Sequence, residues 1–128
     1  MILIDANILL YAVDAAARRH AKARQFLEKQ LSAAGPVGFS WEGLNAFLRI
    51  STNARVFESP LEPQEACDYV SEWLAQPCAT ILQATSAHWE VLRALIEGSD
   101  ASGNLMMDAH LAAIAIEHEA VLYSSDGD

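Results

Sequence analysis

The sequence predicts an α/β fold in which a short parallel sheet is flanked by helices. Two observations support this prediction. Short, largely apolar runs alternate with longer segments whose apolar residues recur at helical spacing. Fully apolar runs are typical of parallel strands that are buried on both faces, and their alternation with helices is the pattern of βαβ units. At 128 residues the chain is long enough to form one domain with its own core.

Four strands are predicted, each from a short apolar run. Their positions are Ile2–Ile4, Val37–Phe39, 79–82 and Val121–Tyr123. The pair Gly35-Pro36 precedes the second run and ends the helix before it, because neither residue continues a helix well. The sheet is therefore expected to contain four strands, each followed or preceded by helical segments.

Six helices are predicted from apolar periodicity and from residues that favour helix ends. Ser40 and Ser86 are expected to be N-caps, and Pro63 occupies a first helical position, where its missing N–H costs nothing. The predicted ranges are 7–13, 15–31, 40–52, 63–75, 86–97 and 104–119.

Charge and apolar runs limit the class of protein. The formal net charge is −9, from 17 acidic and 8 basic residues, which excludes a protein that coats polyanions without specificity. No apolar run approaches the roughly 20 residues of a membrane span, and no basic segment opens a signal peptide. We therefore expect a cytoplasmic protein, in which Cys67 and Cys78 are free thiols.

Four acidic residues are expected at one edge of the sheet. Asp5 follows the first strand and Glu42 opens the helix after the second strand. Asp108 lies early in the last helix, and Asp126 follows the fourth strand. Parallel strands direct their carboxyl ends to the same edge, where ligands bind. Clustered carboxylates repel one another unless a cation is present, and a cluster of oxygen ligands suits Mg²⁺ or Mn²⁺.

Each acid also has a simpler interpretation. Asp5 is a suitable N-cap for the first helix, Glu42 is favourable in the first turn of its helix, and Asp126 belongs to a polar turn. Asp108 differs from these, because its neighbours are apolar and a carboxylate among them is not expected on a solvated face. Asn7 is expected either to be an accessory residue that orients Asp5 or contacts a ligand, or to form a structural turn.

Histidines and basic residues are expected to be peripheral. The four histidines are scattered and are predicted to be surface or capping residues, with His110 on a different helical face from Asp108. The basic residues Arg18, Lys22 and Lys29 are predicted to lie near one face of one helix. They form either a solvated face or a local contact for a phosphate backbone.

An ordered set of short motifs resembles the PIN domain, most closely the VapC toxins of bacterial VapBC pairs. The motifs are Ile4-Asp5-Ala6-Asn7, Trp41-Glu42, Phe47-Leu48-Arg49-Ile50, Asp108-Ala109-His110-Leu111-Ala112-Ala113, Glu117-His118 and Ser124-x-Asp126-x-Asp128. The resemblance covers the chain from residue 1 to residue 128. It implies a single PIN-like domain of three α/β/α layers. It also implies a metal-dependent endoribonuclease toxin.

The resemblance also implies roles for individual residues. Asp5, Glu42, Asp108 and Asp126 would be the catalytic acids that hold Mg²⁺ or Mn²⁺, and Ser124 and Asp128 would be accessory residues. Two departures are visible. Many such proteins carry the second acid about one turn further along its helix, where Ala46 stands, and relatives usually continue beyond residue 128.

The expected partners are RNA, an antitoxin and a second copy of the chain. RNA and a VapB-like antitoxin are implied by the resemblance. A homodimer is expected because large residues such as Tyr69, Trp73 and Trp89 exceed what a small core hides. An aspartyl-phosphate enzyme or a receiver domain would need a further acid near Asp5 and a late lysine, and the chain has neither. The alternative is a PIN-fold interaction module with a weakened metal site.

Overall fold

A computed structural model describes residues 1–103 and 105–124. In this part of the chain, strands and helices alternate in the predicted manner. The strands are β1 (Ile2–Ile4), β2 (Val37–Phe39), β3 (Ala79–Ile81) and β4 (Val121–Tyr123). The helices are α1 (Ala6–Val13), α2 (His20–Ser32), α3 (Trp41–Ser51), α4 (Pro63–Leu74), α5 (His88–Ser99) and α6 (Leu105–Glu117).

The four strands form one parallel sheet in the order β3-β2-β1-β4. In the register, Ile2 lies between Val37 of β2 and Val121 of β4. All four strands therefore end at the same edge of the sheet. The first and last strands of the chain are neighbours, so the residues that follow β1 and β4 lie next to each other.

The core occupies both faces of the sheet, as the three-layer prediction requires. On one face, the buried residues of α1 to α4 pack with Ile4, Val37 and Phe39. On the other face, Leu3 packs with Ile114 and Ala115 of α6. Leu3 and Ile4 serve opposite faces because successive side chains of a strand alternate.

Aromatic residues fill the larger core. The rings of Phe47 and Trp73 are 4.9 Å apart between centroids in an edge-to-face arrangement, and Tyr69 and Phe39 complete the group. Trp73 is buried, so the expectation that it contributes to an exposed interaction surface is wrong. Its place on the buried stripe of α4, against α3 and β2, is the reason.

Two predicted helix starts are wrong. The chain forms turns at residues 15–19, and α2 begins at His20 rather than at residue 15. Asp14 favours these turns because its carboxylate accepts a hydrogen bond from the Ala16 N–H, at 3.1 Å. Ser86 does not cap α5. That helix begins at His88, after Ala87, and has no side-chain cap.

Gly38 has a packing role in the middle of the sheet. A Cβ atom at this position would lie 2.6 Å from Leu82 Cδ1 and 2.9 Å from the Ile2 carbonyl oxygen.

Cys67 and Cys78 are free thiols, as predicted. Among the described residues, no helix combines the length and the apolar character that crossing a membrane requires.

Candidate functional site

Asp5 lies at the carboxyl edge of the sheet, between β1 and α1. Its Oδ1 atom accepts a hydrogen bond from the Ala6 N–H at 2.7 Å, which confirms the predicted role as N-cap of α1. Its Oδ2 atom accepts a hydrogen bond from the Ser124 hydroxyl at 2.9 Å. Ser124 follows β4, so the parallel pairing of β1 with β4 brings these distant residues together.

Glu42 lies at the same edge, in the first turn of α3. Ser40 caps this helix, as predicted, because its hydroxyl oxygen accepts a hydrogen bond from the Gly43 N–H at 3.0 Å. Gly43 sits close to the start of α1, where a Cβ atom would lie 3.7 Å from the Ile4 carbonyl oxygen and 3.8 Å from the Ala6 nitrogen. The beginning of α3 therefore packs against the end of β1, next to Asp5.

Helix α6 reaches this edge through His110. The His110 Nε2 atom donates a hydrogen bond to Glu42 Oε2. Asp108, two residues earlier on α6, is exposed, as are Leu105, Met106 and Met107. This whole turn of α6 lies outside the core and burial begins at Ala109, so the apolar neighbours of Asp108 do not remove it from solvent, and its role as a site acid stays a prediction.

A chain of hydrogen bonds continues from His110 into the protein, and we call it the Glu42–Glu117 chain. His110 Nδ1 and His88 Nε2 lie 2.9 Å apart, and His88 Nδ1 donates to Glu117 Oε2 at 2.6 Å. Because the outer nitrogen of each ring donates to a carboxylate, a hydrogen bond between the two rings needs one of them to hold a second proton. Glu117 Oε1 accepts from the backbone N–H of Thr85 at 2.8 Å and from its hydroxyl at 2.7 Å. The chain thus connects α3, α5 and α6.

Sequence reasoning missed this chain. His88 and His110 were expected to be surface or capping residues, and for both the expectation is wrong. One signal was available, because His110 and Glu117 are two turns apart on α6 and so share a helical face. The other two histidines bind backbone carbonyls: His20 contacts Tyr11, and His118 contacts Gln83.

Both carboxylates of the Glu42–Glu117 chain are biased towards the ionised form. Burial raises the pKa of Glu42, but hydrogen bonds from His110 and the backbone, with the positive potential of the histidines, outweigh burial and bring it below the ordinary value of 4.5. For Glu117, burial is likewise outweighed by hydrogen bonds from Thr85 and His88, so its pKa is also lowered. Both groups are therefore carboxylates at neutral pH.

The carboxylates near this edge are the type of ligand that a hard divalent cation takes, but those among the described residues are not grouped into a metal site. Asp5, Glu42 and Asp108 offer carboxylate oxygens, the ligands that Mg²⁺ and Mn²⁺ prefer, whereas the imidazoles of His88 and His110 are engaged with each other and with carboxylates. Within residues 1–103 and 105–124, no three or more His, Cys, Asp or Glu side chains are grouped closely enough to hold a metal. The predicted site residues Asp126 and Asp128 lie outside the described residues.

The basic residues predicted to contact RNA do not share one helix. Arg18 lies in the turn before α2, so that part of the prediction is wrong, while Lys22 and Lys29 are exposed on α2. Lys22 lines an open cavity of about 420 Å³ together with Tyr123 and Ser124. Since Ser124 also contacts Asp5, Lys22 borders the approach to the acidic edge.

Comparison with known families identifies the domain. The PIN domain model matches residues 2–128. This chain belongs to the PIN-domain family. Two curated relatives of this PIN domain are Mycobacterium tuberculosis proteins. Ribonuclease VapC37 is 40% identical over 128 residues, which span 100% of this chain and 89% of the relative. Ribonuclease VapC43 is 41% identical over 126 residues, which span 98% and 86%.

Solved structures show the same fold. Mycobacterium tuberculosis VapC20, described as a toxin that cleaves the sarcin-ricin loop, aligns with a TM-score of 0.71 at 16% identity, over 100% of this PIN domain and 92% of that chain. VapBC2 from Rickettsia felis, solved with a DNA fragment from its promoter, aligns with a TM-score of 0.66 at 16% identity, over 98% and 89%. The predicted three-layer α/β/α fold is confirmed.

Proposed function

We propose that this PIN domain is a metal-dependent endoribonuclease, the toxin of a toxin–antitoxin pair, acting on RNA in the cytoplasm. The observation that carries the proposal is the position of Asp5, held at the carboxyl edge of the sheet beside Glu42. The full-length similarity to proteins named VapC ribonucleases supports the substrate class. We assign Asp5, Glu42, Asp108 and Asp126 as catalytic acids. Of these, Asp5, Asp108 and Asp126 are assigned as metal ligands.

The residues of the chain prepare the site in distinct ways. The Ala6 N–H and the Ser124 hydroxyl each bind one oxygen of Asp5 and so fix the plane of its carboxylate. Glu42 stays ionised at neutral pH and can accept a hydrogen bond from a water that approaches the phosphate. When bound, Mg²⁺ or Mn²⁺ supplies charge neutralisation at the phosphoryl oxygens and a water that is activated for attack.

Binding of RNA must rely on local features, because the net charge of −9 repels a polyanion. We propose that Lys22 contacts the RNA backbone, with Arg18 and Lys29 as outer contacts, since Lys22 borders the cavity beside Ser124. Replacing Lys22 and Lys29 by Glu should weaken cleavage and reduce its salt dependence while leaving metal affinity unchanged. An unchanged salt dependence would remove these residues from the RNA surface.

Cleavage of RNA by the purified protein with Mg²⁺ or Mn²⁺ tests the proposal. The Asp5→Asn variant should lose cleavage while keeping RNA affinity. Asp14→Asn is a matched control, because Asp14 lies at the opposite end of α1 and, in the part of the chain that the structure describes, its carboxylate binds the backbone of its own turn. If the wild type cleaves no RNA with either metal, or if Asp5→Asn cleaves as well as Asp14→Asn, the nuclease assignment is wrong. A PIN-fold interaction module then replaces it.

We also propose a homodimer and a basic-tailed antitoxin as partners. Helix α5 contains no buried residue, and Trp89 on this helix is 63% exposed. The start of α6 adds exposed Leu105, Met106 and Met107. Exposed apolar area of this kind marks an interaction surface. Light scattering at micromolar concentration should report a dimer for the wild type and a shift towards monomer for Trp89→Ser. A wild-type monomer would refute the dimer.

A further inference from the structure

The Glu42–Glu117 chain leads from the proposed catalytic edge into the protein interior. The exposed fraction of the side chains falls steadily along it, from 31% at Glu42 to 23% at His110, 16% at His88 and 1% at Glu117. Histidines that lie on the surface and contact only solvent would not show this decrease in exposure. The buried end is anchored and the exposed end carries a carboxylate at the proposed site.

We propose that His110 is a positioning residue that fixes the direction of the Glu42 carboxylate, and that His88 and Glu117 fix His110 in turn. This inference rests on the proposed nuclease function. It gives the Glu42–Glu117 chain a role in the chemical step of that function. Glu42 is the only member of the chain that is expected to face the reacting atoms. The other three act through it.

The contact from His110 engages one of the two carboxylate oxygens of Glu42. His110 Nε2 binds Oε2 only, so Oε1 is directed but not consumed by this hydrogen bond. A glutamate in the first turn of a helix has several rotatable bonds, and without a partner it samples several rotamers. Binding of one oxygen from α6 restricts the carboxylate to a narrow range of directions before substrate arrives, which lowers the cost of reaching the reactive geometry.

The orientation of His110 itself is fixed from behind. The rings of His110 and His88 meet edge to face, at an interplanar angle of 82° and a centroid distance of 4.7 Å. His88 is held by Glu117, whose other oxygen binds both polar groups of Thr85. With the second proton on one ring, each imidazole has both nitrogens bonded, so neither ring can turn without breaking two hydrogen bonds.

Two substitutions at His110 separate its two contacts. Glutamine places an amide donor where Nε2 lies, so His110→Gln can keep the bond to Glu42 and lose the bond to His88. Asparagine places its amide where Nδ1 lies, so His110→Asn can keep the bond to His88 and lose the bond to Glu42. Each variant loses one hydrogen bond, so a purely structural role predicts similar stability and similar activity for both.

The positioning role predicts different kinetics for the two variants. In single-turnover cleavage of RNA, His110→Asn should lower the rate of the chemical step on the order of 100-fold with little change in KM, and His110→Gln should recover a large part of that loss. In a Glu42→Gln background, His110→Asn should cause no further loss. His118→Gln is the control, because His118 follows α6 and, within the described residues, its side chain binds the Gln83 carbonyl and takes no part in the Glu42–Glu117 chain.

A metal-free measurement completes the test. Imidazole nitrogen spectra of the protein without metal should show a His110 Nε2 proton that exchanges slowly with water, and this protection should be lost in Glu42→Gln. If the wild type cleaves RNA but His110→Asn and His110→Gln lose activity equally, or if His110→Asn adds its full loss to Glu42→Gln, the positioning role is refuted while the nuclease function stands. Absence of cleavage by the wild type refutes the nuclease function, while the metal-free spectra still decide whether His110 holds Glu42.

Discussion

Replacement of Glu117 by alanine is expected to cost far more stability than replacement of an exposed glutamate in an ion pair. Glu117 is almost fully buried and accepts three hydrogen bonds, two from Thr85 and one from His88. The variant Glu117→Ala leaves the His88 Nδ1 donor and the Thr85 backbone N–H without their acceptor. The folded state is destabilised because buried polar groups without partners lose their hydration without compensation.

The size of the effect follows from these contacts. Hydrogen bonds to charged groups contribute roughly 1.5–3 kcal/mol each. Thr85 is exposed, so water can replace the bonds to its backbone and hydroxyl groups. We therefore expect a loss of about 2–4 kcal/mol in the free energy of unfolding. For a domain of this size that corresponds to a decrease in Tm on the order of 10 °C.

Urea denaturation at pH 7 measures this loss, with Glu97→Ala as the matched control. Glu97 also lies in a helix and also accepts a hydrogen bond from a basic side chain, since Arg93 contacts it at 3.2 Å, but both side chains are exposed. Such a surface pair contributes under about 1 kcal/mol. If Glu117→Ala and Glu97→Ala lose the same small amount, the Glu42–Glu117 chain does not stabilise the fold and our account of its buried end is wrong.

Three further predictions concern packing, pH and metal. Gly38→Ala should destabilise by about 1–3 kcal/mol in urea denaturation, because its Cβ would meet the Ile2 carbonyl and Leu82, whereas Gly98→Ala, with open space around it, should stabilise slightly. The folded pKa values of Glu42 and Glu117 lie below 4.5, so both carboxylates contribute fully to the free energy of unfolding above pH 4.5 and lose that contribution as the pH falls further. The free energy of unfolding should therefore be lower at pH 3.5 than at pH 6, and this difference should be smaller in Glu117→Gln. Mn²⁺ at about 100 times its Kd should stabilise the wild type by about 2.7 kcal/mol in thermal unfolding, and a melting curve that does not move with Mn²⁺ would contradict the metal site.

Local sequence signals predicted most of the fold because they act within a few residues. The apolar runs located all four strands, and Ser40 and Pro63 marked helix starts that the structure confirms. Each of the two wrong helix starts has a local reason. At residues 15–19 the helical pattern competed with the turn that Asp14 favours, and at Ser86 a good capping residue stood near a helix that begins two residues later.

The sequence by itself determined which acidic residues follow strands. Because parallel strands end at the same edge of the sheet, residues in these positions meet at that edge. Asp5 and Glu42 were found in this way. Only the tertiary structure decided which side chains touch. The Glu42–Glu117 chain joins residues 22, 29 and 68 positions apart, on three helices whose mutual packing sets each distance. A hydrogen bond forms or fails within a fraction of an ångström, and no periodicity along one helix specifies how another helix packs against it.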